Sequence, residues 1–303
     1  MLKLDNAGLR LIGSEHGTCR LFEREEGTRW ISRGELKLAN VRAASWAPVE
    51  VCACLAVASG DAVTIFDDAG EGDLREAAVL RRGAATCVTD VAFAPARLGL
   101  VLAVAFDDGR VVVYSKSLAA NTDDARRGAS DGWEVVATLE CYCGAGSASE
   151  LRLAWDPSAA NAGLVVCRAG AADRPQLWKR SWRQWRRASQ LLAPRANICD
   201  MSFSPQGDDV EFKRVAFATM VAVEIHAFRN DDGDDDDSRS DAISVSVVPD
   251  AGAQTVEWNA AGTLLATGSG DGARIKIWKP DLVGKDWIQV AEHLGANPQA
   301  LTQ

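Results

Sequence analysis

The chain has 303 residues, 47% apolar and 25% charged, a composition that supports a folded core. No run of eighteen apolar residues occurs, which leaves out a membrane-spanning helix, and the opening MLKLDNAGLRL lacks the long apolar region and small-residue cleavage site of a signal peptide. The net charge of −9 is uneven: Asn230–Asp241 (NDDGDDDDSRSD) sets seven Asp against one Arg and leaves the rest near −3, which does not suit general nucleic-acid binding.

From the N-terminus onward, short runs alternate apolar and polar residues at period two between clusters of Gly, Pro, Asp and Asn, the signature of half-buried strands. A leucine or an aromatic closes such a run at Leu4, Trp46, Phe93, Trp155, Phe203 and Trp258, at intervals of 42, 47, 62, 48 and 55 residues. Each closing residue leads into an apolar run (LRLIGS, LAVASG, LVLAVAF, LVVCRAG, RVAFATM, LLATGS). Past a turn comes an amphipathic run (CRLFE, AVTIF, RVVVY, PQLWK, AVEIHAF, RIKIW). Six units of roughly forty-five residues match the blade period of a WD-repeat β-propeller, in which each unit buries its faces only by stacking on its neighbours.

The first unit, about 1–38, begins inside its innermost strand at Met1–Asp5, turns at Glu15-His16-Gly17 and places its outer strand near Trp30–Leu38. The second, about 41–82, turns at Gly60-Asp61 and has Asp67-Asp68 where a Trp-Asp ending is usual. In the third, about 86–143, the polar stretch Ser117–Gly132 has no periodicity and reads as a long loop, which accounts for the 62-residue interval. The fourth, about 151–192, needs its outer hairpin at Trp178–Arg187, with Gln184 near the tip. An irregular stretch, Gln206–Lys213, and the acidic run fall in the fifth, about 198–248. The sixth, about 254–295, is the most regular: Gln254–Trp258, a turn at Asn259–Gly262, the apolar Leu264–Thr267, a hairpin at Gly268–Gly272, the alternating Arg274–Trp278 and a fourth strand, Trp287–Leu294.

The expected fold is therefore all-β, a six-bladed propeller forming a single domain over 1–303. No spare strand precedes the first unit or clearly follows Leu294, so the expectation is an open ring whose first and last units meet without strand exchange. Unpaired edges invite a strand from another chain, and Leu2, Leu4, Trp287, Ile288, Val290 and Leu294 are the candidate partner-binding residues.

Other motifs carry weaker signals. Gly268-Ser-Gly-Asp-Gly272 looks like part of a phosphate loop, but a period-two strand follows it rather than a helix, so it reads as a hairpin turn. Trp178–Arg187 interleaves three Trp with five basic residues. Around Trp182, Arg183, Trp185 and Arg186 this could be a rim patch for an acidic surface or single-stranded nucleic acid, although Arg and Trp also cover a solvated rim well. The acidic run lacks the spaced Asp and distal Glu of a calcium loop and reads as a solvated segment. Eight Cys occur, at 19, 52, 54, 87, 141, 143, 167 and 199, without a C-x2-C pair. With only His16, His226 and His293 beside them, reduced core thiols are expected rather than zinc, and Cys52/Cys54 and Cys141/Cys143 would each share one face of a strand. There is no G-x-S-x-G, H-E-x-x-H or Walker motif, so neither catalysis nor a cofactor is expected.

Two stretches carry a family resemblance. Val88–Tyr114 (VTDVAFAPARLGLVLAVAFDDGRVVVY) resembles the corresponding blade of the SEH-type WD-repeat nucleoporins, relatives of the Sec-thirteen-like propellers. Val256–Gly295, with its Trp-Asn-x-x-Gly-Thr run and Trp-bearing last strand, is similar to that family's final blade. Leu9–Phe22 and Ile198–Phe228 echo it more weakly. The resemblance implies an open six-bladed scaffold without catalysis, completed by a β-blade from a helical nucleoporin of the Y-shaped nuclear pore subcomplex. It also implies a second role in the GATOR complex, which signals amino-acid status at the lysosome or vacuole. No direct contact with nucleic acid and no membrane insertion are implied. A coat subunit of the Sec-thirteen branch, serving COPII and the pore, is the nearest alternative. A generic adaptor that binds peptides on its flat face is another.

Overall fold

The computed structural model describes residues 2–4, 10–15, 18–24, 30–68, 73–83, 86–116, 132–143, 150–157, 163–181, 184–205, 212–229, 244–270, 274–281 and 286–294. Among these the regular structure is β-sheet throughout, apart from one 3-10 turn at Ala96–Leu98. Six four-stranded antiparallel sheets follow one another along the chain, and in each the strands lie side by side in sequence order. Each sheet is built like a blade of a WD-repeat propeller. No helix among the described residues is long and apolar enough to cross a membrane. The chain divides into two compact units, Met1–Leu153 and Ala154–Gln303.

The first unit holds three sheets. They are β1–β4 (Leu2–Leu4, Arg10–Glu15, Thr18–Arg24, Trp30–Leu36), β5–β8 (Val41–Trp46, Cys54–Ser59, Ala62–Asp68, Leu74–Arg81) and β9–β12 (Val88–Phe93, Leu100–Phe106, Arg110–Lys116, Trp133–Glu140). Burial follows position within a sheet. All seven residues of β10 are buried, which is why LVLAVAF is continuously apolar, whereas most of the outermost β12 is exposed. Asp108-Gly109 closes the β10–β11 hairpin. Gly109 has φ +84°, and a Cβ there would run into the Tyr142 carbonyl, so only glycine fits. The two aspartates of this turn pin it to the chain entering the sheet: Asp107 accepts the Cys87 N–H at 2.9 Å, and Asp108 pairs with Arg82 at 2.6 Å.

The second unit takes up the chain inside β13 (Leu151–Trp155) and continues through β14–β16 (Gly163–Arg168, Gln176–Ser181, Gln184–Gln190). Then come β17–β20 (Ile198–Phe203, Phe212–Thr219, Val223–Arg229, Ser244–Val248) and β21–β24 (Ala253–Trp258, Leu265–Ser269, Arg274–Pro280, Trp287–Leu294). Aromatic pairs recur across its sheets. The closing aromatic of each first strand meets a ring further out in the same sheet: Trp155 meets Trp185 at 5.8 Å, Phe203 meets Phe228 at 5.9 Å and Trp258 meets Trp287 at 5.7 Å, all edge-on. In the first unit Phe93 meets Trp133 likewise, at 6.3 Å and tilted. A buried ion pair, Lys213 with Asp156, ties β18 to the end of β13.

The first strand of each sheet has one edge without a strand partner, and in the third, fourth and sixth sheets side chains of the preceding sheet serve it. Asp90 accepts the Leu153 N–H at 2.8 Å, and Asp200 in the corresponding place accepts that of Val256 at 3.1 Å. Ser45 accepts the Phe93 N–H at 3.0 Å, and Ser202 that of Trp258 at 3.3 Å. Counted back from the closing aromatic, the aspartates stand three residues earlier and the serines one earlier.

Three local expectations change. Phe212 and Lys213 lie in β18 rather than in an irregular stretch, because Lys213 is anchored by Asp156. Met220 falls out of that strand into the bend that follows it. Neither close cysteine pair sits within a strand: Cys52 lies in the turn before β6 and Cys54 begins that strand, while Cys141 and Cys143 follow the end of β12. The acidic run 230–241 and most of the loop 117–132 lie outside the described residues.

The aromatic pairs set a stability test. Removing either ring of the Trp258–Trp287 pair leaves a core cavity, so Trp258→Ala and Trp287→Ala should each cost about 3–5 kcal/mol. The double variant should cost about 0.5–1.5 kcal/mol less than the sum, the value of the ring contact itself. Urea unfolding of the four proteins closes this cycle.

Candidate partner-binding surface

The sixth sheet ends in β24, whose residues are WIQVAEHL. Its only strand neighbour is β23, so the far edge of β24 carries main-chain groups without a strand partner among the described residues. Trp287 anchors the start of the strand. Its ring packs on Trp258 and its indole N–H donates to the Ser246 hydroxyl at 3.3 Å. Beyond it every residue is exposed: Ile288 at 48%, Val290 at 46% and Leu294 at 67% are the apolar ones. The inward neighbour adds Ile275, exposed at 46% and paired in register with His293. Gln289, Glu292 and His293 are the polar residues interleaved with this apolar run, the first two hydrogen-bonded at 3.2 Å.

On β23 burial does not simply follow the alternation. Arg274, Lys276 and Trp278 do alternate with Ile275 and Ile277, yet it is Trp278 that is buried and Ile275 that faces solvent. A polar chain explains this. The Trp278 indole N–H donates to the Thr267 hydroxyl at 3.0 Å, that hydroxyl donates to Asp250, and Asp250 receives the Lys276 ammonium at 2.6 Å. These bonds hold Lys276 and Trp278 inward and leave Ile275 open to solvent. The recess beside Asp250, lined also by Ala253 and Arg274, has room for little more than a water and is no substrate pocket.

Leu2 and Leu4 lie in β1, the edge strand of the first sheet, in register with Gly13 and Leu11. Trp182 and Arg183 lie outside the described residues. Trp185 is half-buried edge-on against Trp155, and the Trp178 N–H is taken by Gln176 at 3.2 Å, so these rings are spent on the sheet rather than held out as a stacking platform. Arg186 and Arg187 are exposed.

Among the described residues, no histidine stands in a group of three or more metal-ligating side chains. His16 is outside the described residues, and His293 is exposed on β24. His226 is fully buried in β19, edge-on to Phe217, with Nε2 at 3.4 Å from the Glu224 carboxylate. The other oxygen of Glu224 accepts the Arg195 N–H at 2.8 Å. Sequence reasoning did not find this pair, because an alternating V-E-I-H strand does not reveal that its polar side is also covered. Burial lowers the His226 pKa from its usual 6.5, against the opposing pull of Glu224.

No protein-family model matches the chain. Nucleoporin SEH1-A of Xenopus laevis is 25% identical over 211 residues, which cover 64% of this chain and 54% of that protein. Nucleoporin SEH1 of Homo sapiens shows the same identity and the same coverage, and that of Danio rerio is 24% identical, with 64% and 53% covered. The chain thus spans about half the length of the curated relatives it matches. These likenesses support a relationship to the SEH-type nucleoporins.

The buried histidine predicts an acid-labile fold. A folded-state pKa below the unfolded 6.5 means that the unfolded chain takes up the proton first. The contribution of His226 is therefore intact above pH 6.5 and is lost as the pH falls through that value toward the lower folded pKa. Denaturant midpoints measured from pH 7.5 to 5 should fall, and His226→Gln should flatten that decline even if it lowers the midpoint overall.

Proposed function

We propose that this chain, a relative of the SEH-type nucleoporins, is a non-enzymatic scaffold subunit of the nuclear pore at the nuclear envelope. In the finer reading it accepts a β-blade from a helical scaffold nucleoporin of the Y-shaped subcomplex. The same mode of binding would serve the GATOR complex at the lysosomal or vacuolar surface. The observation that carries the proposal is β24, an edge strand with exposed Ile288, Val290 and Leu294, in a chain whose matched relatives are nucleoporins. Main-chain pairing along such an edge sets the geometry of an incoming strand, and alternate side chains set its register. Apolar burial, at about 25 cal/mol per Å2, supplies most of the affinity. Neither role needs a catalytic group, a metal or a cofactor.

The test is an affinity pull-down of the tagged chain from its own cells, read by mass spectrometry, beside the variant Ile288→Asp/Val290→Asp. Both positions are solvent-exposed, so the variant should fold. Burying unpaired carboxylates costs several kcal/mol, so recovery of helical nucleoporins should drop by about a hundredfold. Unchanged recovery removes β24 from the accepting surface. Recovery of COPII coat subunits in place of pore subunits moves the chain to the Sec-thirteen branch.

A further inference from the structure

The turn between β5 and β6 brings two thiols together. The N–H groups of Val51 and Cys52 both donate to the Pro48 carbonyl, at 2.9 and 3.2 Å, and the chain bends at Ala53. The Ala53 carbonyl accepts the Asp68 N–H at 3.0 Å, and the Cys54 carbonyl accepts that of Ala47 at 2.9 Å. The backbone is thus held on both sides of the bend. Across it the Sγ atoms of Cys52 and Cys54 stand 2.8 Å apart. An extended strand would separate side chains two residues apart, so the bend produces this approach. Cys52 is half-buried and Cys54 is buried in the core of the unit.

We propose that Cys52 and Cys54 form an oxidisable dithiol, a modification site at which a hydroperoxide converts the pair to an intramolecular disulfide. The Cys52 thiolate attacks the peroxide oxygen, breaks the O–O bond and becomes a sulfenic acid while water or an alcohol leaves. The Cys54 sulfur then attacks the Cys52 sulfur, the S–O bond breaks, and the departing hydroxide takes the Cys54 proton as water. Two thiols are oxidised by two electrons and the peroxide is reduced by the same two. The roles follow from the site. Cys52 is the more accessible sulfur, and its thiolate accepts a hydrogen bond from Cys54, which draws its pKa below the usual thiol range. The same contact, together with burial, pushes the Cys54 thiol up. Two charges act on it in opposite senses: Asp67 disfavours the Cys52 thiolate and Lys116 favours it.

The sequence makes the product easy to read. Trypsin releases Ala43–Arg75 as one peptide that contains Cys52 and Cys54, no other cysteine and no internal Lys or Arg. The folded full-length chain is treated with hydrogen peroxide, denatured, alkylated and digested. The expected result is a peptide two hydrogens lighter that resists alkylation until a phosphine reduces it. It should form about tenfold faster than the exposed Cys143 is oxidised, since the thiolate fraction sets the rate. Cys52→Ala makes a small change at a half-buried turn residue and should abolish the mass loss while the protein stays folded. A doubly alkylated peptide at doses that oxidise Cys143 overturns the proposal. So does Cys52 advancing to the sulfinic acid while Cys54 remains alkylated.

Discussion

A strand at the end of a sheet leaves half of its main-chain groups without a ladder partner. Every sheet here has such a strand at each end. A buried N–H without an acceptor costs about 1–3 kcal/mol, while a made bond returns only about 0.5–1.5 kcal/mol net, somewhat more when the acceptor is charged. The penalty for failure therefore exceeds the reward for success. Asp90, Asp200, Ser45 and Ser202 meet this constraint by reaching from one first strand to the N–H groups of the next. Ala43 holds the aspartate position in the second sheet, and Arg152 and Ala154 hold the two positions in the fourth. None of these three can accept, so the device is used where residues allow it rather than uniformly.

The same logic governs the buried charges. Lys213 and Asp156 are nearly inaccessible, and a pair of that kind gains little net stability, because taking both ions out of water offsets their attraction. Breaking such a pair costs far more than making it gains. Its physical effect is on register: Lys213 can sit at that place in β18 only if Asp156 faces it. The Trp278–Thr267–Asp250–Lys276 chain does this for the sixth sheet. It holds Lys276 and Trp278 inward and leaves Ile275 facing solvent. A polar network inside the sheet thereby shapes the apolar surface outside it.

Period-two alternation and the six closing residues made the sheets legible in the sequence, since both are local properties of a half-buried strand. The sixth sheet reads almost strand for strand. What stayed hidden depends on contacts distant in sequence. Cys52 and Cys54 share spacing with a strand pair, but the bend at Ala53 places them in a turn, and no periodicity shows a bend set by the Pro48 carbonyl. Lys213 looked like part of a loop because a lysine in a core strand makes sense only beside Asp156, 57 positions earlier. Trp185 and Trp178 looked available for stacking because a sequence does not display that their rings are already engaged. The candidate surface was the least legible part: the sequence can nominate β24 as a strand, but its exposure depends on what the rest of the chain leaves uncovered.

Exposed apolar residues on an outer strand are not by themselves a docking surface. Val135 and Val136 on β12 are also open to solvent, as is Val247 on β20. In β12, however, Leu139 is buried near the strand's end as Trp133 is at its start, so both ends are tied to the sheet. In β24 only the first residue is anchored, and seven consecutive residues follow with neither side of the strand buried. A strand exposed on both sides and along its edge has the three surfaces that an added strand and its flanking side chains would cover. Its polar residues, Gln289, Glu292 and His293, moderate the aggregation hazard of such an edge without occupying it. That combination, rather than hydrophobicity alone, distinguishes β24 from β12.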